Sequence, residues 1–173
     1  QDSKSRQALI VTGTNEDGLH LLLQASATKQ SVEAFIVDIV TAVKKYRPRK
    51  LLIERAGQQI AFIMLVKERL ASEGLSTTVE EVTPGGRKKE MRIQTLEPYF
   101  QRGTIYVARD QLDFMHEYST FPRGEYKDLL DALAYQLPYW RTGIVTQRAP
   151  QQQARADAEI QRLYSRMGVA APS

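Results

Sequence analysis

Three acidic residues occupy positions where carboxylates could do chemistry. Glu54 ends an otherwise apolar run, Lys50–Glu54, that is typical of a buried strand. Asp128 and Asp131 are three residues apart, so on a helix both project from nearly one face. Two carboxylates this close repel each other unless a cation lies between them. Together the three acids would hold two divalent cations roughly 4 Å apart, which activate water and stabilise the leaving oxygen in phosphodiester cleavage.

Each of these acids also has an ordinary structural explanation. Glu54 would pair with Arg55 or Lys50 at the end of a strand, and Asp128 would stabilise a helix N-terminus through the helix dipole. Asp131 lies one turn further into the helix, so the second explanation suits it less well. Sequence gives no distances, and the convergence of the three acids is therefore an expectation that depends on the fold.

A group of basic residues follows the turn Pro84-Gly85-Gly86 and opens a predicted helix. Cations and exposed amide groups at such a position would hold phosphates, and a net charge of +4 favours a polyanionic partner. A solvated, charged helix start is the alternative. The candidate DNA-binding residues are Arg87, Lys88, Lys89 and Arg92.

Composition excludes several other kinds of site. The 173 residues include no cysteine, so disulfides and thiolate metal sites are ruled out, and the two histidines argue against a zinc site. His20 and His116 are both expected on the surface. No apolar run approaches the roughly 18 residues that span a bilayer, and no membrane partner is predicted.

The order of predicted elements indicates one α/β domain with a mixed sheet flanked by helices. Ala8–Thr12 and Leu19–Ala25, joined through Asp17-Gly18, predict an antiparallel hairpin. The further elements are helices at 32–46, 58–72, 88–101, 112–119 and 126–140, and strands at 50–54, 77–83 and 104–107. We assign residues 1–141 to this domain. Residues 142–173 form a Gln-rich tail that is partly helical, over 155–167, or disordered.

Four segments, in order, resemble the nuclease domain of bacteriophage large terminase subunits. Leu51–Gly57 resembles the family's strand that ends in an acid followed by Gly, and Val82–Lys89 with Arg92 resembles its P-x-x-x-K…R segment. Leu96–Val107 is similar to the family's helix, Gly and short strand. Phe121–Ala134 resembles F-P-x-G-x-x-D-D-x-x-D-A. The resemblance covers about residues 8–139.

This resemblance implies an RNase H-like fold and a metal-dependent endonuclease that cleaves double-stranded concatemeric viral DNA during genome packaging. It implies that Glu54, Asp128 and Asp131 bind two Mg²⁺ or Mn²⁺ ions together with an Asp from a preceding strand. It also implies a portal, a small terminase subunit and an upstream ATPase domain as partners, in the host cytoplasm. The chain contains no G-x-x-x-x-G-K-[ST] loop, so we expect no ATP hydrolysis here.

Two departures from the family pattern keep other functions open. Lys127 replaces the first Asp of the family's double Asp, and the strand that bears the first catalytic Asp is not recognisable before Ala8. Asp2 is the only nearby acid, and it lies in a polar stretch. The alternatives are another RNase H-like nuclease of the resolvase or transposase type, and a non-catalytic module that docks on DNA or on the portal.

Overall fold

A computed structural model describes residues 6–55 and 60–140, together with residues 158, 161, 162 and 165. Most of the predicted elements are found within these ranges. The strands are β1 (Gln7–Thr14), β2 (His20–Thr28), β3 (Lys50–Glu54), β4 (Thr78–Val82) and β5 (Ile105–Val107). The helices are α1 (Val32–Tyr46), α2 (Ile60–Ser72), α3 (Lys89–Gln94), α4 (Glu97–Gln101), α5 (Leu112–Thr120) and α6 (Asp128–Ala134), followed by a 3-10 helix (Leu137–Tyr139).

The strands form two small sheets. β1 and β2 are an antiparallel hairpin, with a bulge between Val11 and Thr12, and β2 also pairs in parallel with β5. β3 and β4 pair in parallel with each other. The predicted fold class, an α/β arrangement of an antiparallel hairpin and parallel strands flanked by helices, is confirmed. One finding was not expected: within the described ranges no ladder joins β1 to β3, so the strands do not form one continuous sheet.

Local signals explain the turn and the first helix. In the hairpin turn the Asn15 side chain accepts hydrogen bonds from the backbone N–H groups of Asp17 and Leu19, at 3.1 and 2.9 Å, and Gly18 has a φ of 78°. Ser31 caps α1 by accepting from the N–H of Ala34 at 3.2 Å. The helix ends at Tyr46, and the residue that follows it, Arg47, has a left-handed φ of 47° just before Pro48.

Two predicted helices are shorter than expected. The helix predicted over 88–101 is divided into α3 and α4, because Pro98 lacks an N–H and is found in the first turn of a new helix. The last helix begins at Asp128 rather than at Tyr126 and ends at Ala134. Beyond it Pro138 is accommodated in the 3-10 helix. The predicted tail helix over 155–167 lies mostly outside the described residues.

Two of the three apolar clusters among the described residues pack helices against the strands. The first packs α1 and α2 against β1 and β3, with Ile39, Ile63 and Val66 at its centre. The second packs α5 and α6 against the β1-β2-β5 sheet around Leu22 and Phe114, neither of which is exposed to solvent. Because α6 carries Asp128 and Asp131, the second cluster fixes the position of both acids. No helix in the described part of the chain is long and apolar enough to cross a membrane.

Phe114→Ala is expected to lower the free energy of unfolding by about 3–5 kcal/mol, because it leaves a cavity under α6. Urea unfolding followed by circular dichroism measures this change. Met115→Ala is the matched control, since Met115 is the next residue of the same helix and is 43% exposed. Equal losses for the two variants would contradict the assignment of Phe114 to the core.

Candidate metal and nucleic-acid site

A groove of about 420 Å³ runs between β1 and β3 and collects all three predicted catalytic acids. Glu54 reaches it from the end of β3, while Asp128 and Asp131 reach it from the first turn of α6. Lys89 and Tyr135 line the same groove. A strand end and a helix far apart in the sequence therefore present three carboxylates to one space. The catalytic role of these residues stays a prediction.

Asp131 is clamped by an arginine. Only 7% of the residue is exposed, and its two carboxylate oxygens accept from Nε and Nη2 of Arg92 at 2.7 and 2.8 Å. The guanidinium also lies 4.3 Å from the ring centre of Tyr135. The hydrogen bonds to Asp131 raise the pKa of Arg92, so the arginine stays charged. A buried carboxylate needs such a partner, because charge is costly away from water.

Asp128 and Glu54 also have hydrogen-bond partners within the protein. Lys89 Nζ donates to Oδ1 of Asp128 at 2.6 Å and lies 4.0 Å from Oδ2 of Asp131. The hydroxyl of Tyr135 donates to Oε1 of Glu54 at 2.8 Å. Burial, and then Glu54 itself, raise the pKa of Tyr135, so this hydroxyl keeps its proton at any physiological pH. Tyr135 thus links Glu54 to the Arg92–Asp131 pair.

The ligand chemistry of the groove suits Mg²⁺ or Mn²⁺, since it offers carboxylate oxygens and no thiolate. The present arrangement does not form a metal cluster: nowhere in the described ranges do three acidic or histidine side chains come close enough to hold one ion. Lys89, Arg92 and Tyr135 supply the positive charge and the hydrogen bonds instead. A bound ion would therefore have to replace protein contacts that already exist.

The four predicted DNA-binding residues divide into two pairs. Arg87 and Lys88 are exposed before the start of α3, as a phosphate-binding role requires. Lys89 and Arg92 turn inward and bind the two aspartates. A further ion pair connects α3 to the start of α6: Nζ of Lys127 lies 3.0 Å from Oε1 of Glu90. Lys127 thus contributes to positioning α6.

Glu117 is a buried residue of the site that sequence reasoning missed. It is 1% exposed, and its Oε2 accepts from the backbone N–H groups of Leu129 and Leu130 at 2.8 and 3.3 Å. α6 has no side-chain cap of its own at Lys127, so this carboxylate from α5 caps it. Arg6 donates to Oε1 of Glu117 at 3.3 Å. No local pattern in the sequence connects Glu117 with a helix that begins 11 residues later.

His20 is buried, and the expectation that it lies on the surface is wrong. Its ring stacks on Trp140 with 3.8 Å between ring centres, and its Nδ1 lies 3.0 Å from the hydroxyl of Thr14. Burial lowers the pKa of His20 to about 4, so it is neutral at physiological pH. The aromatic residues around it explain its position without a metal.

No protein-family model and no curated protein sequence matches the chain. Among solved structures, the chain is similar to T. thermophilus RuvC in complex with a Holliday junction substrate. The TM-score is 0.43 at 15% sequence identity, and the match covers 98% of this chain and 94% of that one.

Glu117→Gln tests the buried cap through the pH dependence of stability. Burial raises the pKa of Glu117 above its ordinary value of 4.5, so the folded state binds this proton more tightly than the unfolded state does. The resulting stabilisation is complete below the unfolded-state pKa and is lost as the pH rises through the folded-state pKa. The difference in unfolding free energy, wild type minus Glu117→Gln, is therefore expected to fall as the pH rises from 4 to 7.

Urea unfolding of both proteins at several pH values measures this difference. The titration of groups that both proteins share cancels when one unfolding free energy is subtracted from the other. Glu125→Gln is the control, since Glu125 is an exposed acid in the loop before α6. A difference that stays constant or grows with pH would contradict the buried, desolvated carboxylate.

Proposed function

We propose that this protein is a metal-dependent endonuclease domain of the RNase H-like, large-terminase type. The observation that carries the proposal is the meeting of Glu54, Asp128 and Asp131 in one groove. Carboxylates from a strand end and from a helix are the ligand set that two-metal phosphodiester hydrolysis needs. Basic residues at the edge of the same groove suit a nucleic-acid substrate.

Glu54, Asp128 and Asp131 would hold the divalent ions, with an Asp from a preceding strand as a further ligand. Such ions supply a water of lowered pKa and stabilise the leaving oxygen. The remaining groups of the protein position the acids. Tyr135 orients Glu54 through its 2.8 Å hydrogen bond, and Glu117 holds the turn of α6 that bears Asp128.

Lys89 and Arg92 could bind two kinds of anionic partner, the aspartates of α6 and the phosphates of DNA. Without metal they neutralise Asp128 and Asp131. If metal occupied the carboxylates, Lys89 and Arg92 would become available to bind the phosphate groups of DNA. Arg87 and Lys88, already exposed, would bind the backbone further along the duplex. Because such contacts do not read bases, we expect little sequence specificity.

The assignment to the large-terminase type of nuclease rests on the four terminase-like segments of the sequence. They support double-stranded concatemeric viral DNA as substrate, and Mg²⁺ or Mn²⁺ as cofactor. They also support a portal, a small terminase subunit and an upstream ATPase domain as partners, in the host cytoplasm. The rival within the same class is a resolvase or transposase type of nuclease, which a four-way junction substrate would distinguish.

A second candidate is a non-catalytic DNA-binding or portal-docking module. The observation that favours it is the neutralisation of Asp128 and Asp131 by Lys89 and Arg92, which leaves no unpaired carboxylate on α6 for a metal. This candidate predicts DNA binding that does not depend on divalent ions. The nuclease predicts that a divalent ion, Mg²⁺ or Mn²⁺, is required for cleavage.

Nicking of supercoiled plasmid distinguishes these functions. With Mn²⁺ or Mg²⁺ we expect relaxed and then linear product, and with EDTA none. Asp131→Asn is expected to slow nicking by on the order of 100-fold, because it removes a charged ligand of the ions. Asp113→Asn, which changes an exposed acid on α5, is the control and is expected to cut like wild type.

Chains with and without an N-terminal extension are compared in this assay, together with linear duplex and four-way junction DNA. Preference for the junction would favour the resolvase type. If neither length cuts with any metal while both still bind DNA, the nuclease proposal fails and the docking module replaces it.

The double variant Arg87→Ala/Lys88→Ala is expected to weaken duplex binding and to reduce its salt dependence. Each phosphate contact contributes about 0.9 to the slope of log K against log salt concentration, so the slope falls by up to about 2. Fluorescence anisotropy from 50 to 200 mM salt measures it. Lys29→Ala removes an exposed cation from the loop after β2 and is the control. An unchanged slope would show that this turn does not contact DNA.

A further inference from the structure

A run of basic residues joins the end of α1 to the start of β3. Five of the seven residues from 44 to 50 are lysine or arginine, and all five are exposed. We call residues 44–50 the basic segment. The helix dipole favours cations in the last turn of α1, which accounts for Lys44 and Lys45. Arg47 and Arg49 lie beyond that turn and need another explanation.

Neighbouring carboxylates neutralise only part of this charge. The lysines at the two ends of the basic segment form ion pairs, one with Glu73 and the other with Glu80. Lys45, Arg47 and Arg49, which lie between them, form no ion pair with any residue that the structure describes. Five cations against two carboxylates leave three positive charges in excess, in a chain whose net charge is +4. Such an excess on one surface attracts a polyanion.

The backbone that carries the two arginines is held in place by the protein. The carbonyl oxygen of Pro48 accepts from the hydroxyl of Thr77 at 3.2 Å. The carbonyl oxygen of Arg49 accepts from the N–H of Thr78 at 3.3 Å. Pro48 also fixes one backbone dihedral angle between Arg47 and Arg49. The two side chains therefore project from a fixed backbone, which lowers the entropy cost of binding a ligand.

Arg47 occupies a backbone conformation that glycine adopts more readily. Its φ of 47° lies in the left-handed region, where a Cβ atom is unfavourable. Among the described residues it is the one non-glycine residue with a positive φ, and the left-handed position after α2 is filled by Gly74. Strained residues of this kind cluster at functional sites. The side chain of Arg47 is therefore a candidate for a function that glycine could not perform.

The basic segment lies at one end of the groove, and Glu54 lies at the other. Pro48 and Lys50 line the groove together with Glu54. Lys50 and Glu54 are on the same face of β3, since Lys50 lies over the ring of Tyr139 and Glu54 accepts from Tyr135. A strand rises about 3.3 Å per residue, so the two positions are roughly 13 Å apart, or about four base pairs along duplex DNA.

We propose that the basic segment is a second binding surface for the phosphate backbone of double-stranded DNA, with Arg47 and Arg49 in direct contact with phosphates. Arg87 and Lys88 hold the backbone near the acids, and the two arginines of the basic segment hold it about four base pairs away. Arginine suits this role because its guanidinium binds a phosphate through two parallel hydrogen bonds. The inference rests on the proposed function in taking DNA as the partner, and it requires neither metal nor cleavage.

Fluorescence anisotropy in EDTA tests the proposal on the full chain, because binding is then measured without cleavage. The probes are a fluorescein-labelled DNA duplex, titrated from 50 to 200 mM salt, and labelled polyglutamate, a polyanion without phosphate. The double variant Arg47→Gly/Arg49→Gln removes both guanidinium groups and places glycine where the backbone favours it. The matched control, Arg102→Gln/Arg109→Gln, removes the same charge from exposed residues that flank β5, the strand farthest from the groove in its sheet.

We expect Arg47→Gly/Arg49→Gln to raise the Kd for the duplex by about 10-fold or more at 100 mM salt, and to reduce the slope of log K against log salt concentration by up to about 2. The control is expected to change the Kd by less than about 3-fold. Arg47→Lys/Arg49→Lys keeps both charges and is expected to recover most of the slope. Urea unfolding is expected to show that the glycine variant is at least as stable as wild type, because glycine relieves the left-handed strain.

Equal losses for the double variant and its control would show that only net charge matters, and an unchanged slope would show that the basic segment does not contact DNA. Either result overturns the inference, whereas nicking of plasmid by the wild type would still support the proposed nuclease. Loss of binding to polyglutamate without loss of binding to DNA would assign this surface to an acidic protein partner instead. If the wild type binds no duplex at all, the inference fails together with the DNA-binding part of the proposed function.

Discussion

The ion pair between Arg92 and Asp131 is the interaction on which the rest of the site depends. It ties α3 to α6 through two short hydrogen bonds, in a position where the carboxylate is almost fully removed from water. Breaking a buried pair by removal of one partner leaves an uncompensated charge, which is strongly destabilising. Any ion that binds Asp131 must therefore interact with its carboxylate at least as favourably as the Arg92 guanidinium does. The same pair that stabilises the fold thus sets the threshold for metal binding.

α6 is the element through which fold and site are coupled. On its apolar side Leu129, Leu130 and Leu133 pack in the core around Phe114. Its polar side presents the two aspartates to the groove. Glu117 accepts a hydrogen bond from the backbone of its first turn, and Lys127, just before that turn, forms an ion pair with Glu90 of α3. Catalytic groups must be held within a fraction of an ångström by packing and by hydrogen bonds from neighbours. These contacts hold Asp128 and Asp131, the two acids of α6 that we propose as catalytic, in place.

Sequence reasoning succeeded where the signal was local. The hairpin at Asp17-Gly18, the cap at Ser31 and the strand that ends at Glu54 depend on a few neighbouring residues, and each was found close to its predicted place. Long-range contacts carry no such signal. The cap that Glu117 provides, the inward turn of Lys89 and Arg92, and the stacking of His20 on Trp140 join residues distant in the chain. The split of the strands into two sheets likewise depends on tertiary packing.

Whether Glu54 and Asp131 bind metal can be tested with a crystal of the protein that is grown with Mn²⁺ and measured at the manganese absorption edge. We expect an anomalous peak about 2.0–2.3 Å from carboxylate oxygens of Glu54 and Asp131, with the Arg92 guanidinium displaced from Asp131. A peak elsewhere on the surface, or none while Arg92 still clamps Asp131 at high Mn²⁺ concentration, would contradict it. In that case the groove carboxylates are structural, and the non-catalytic docking module becomes the favoured proposal.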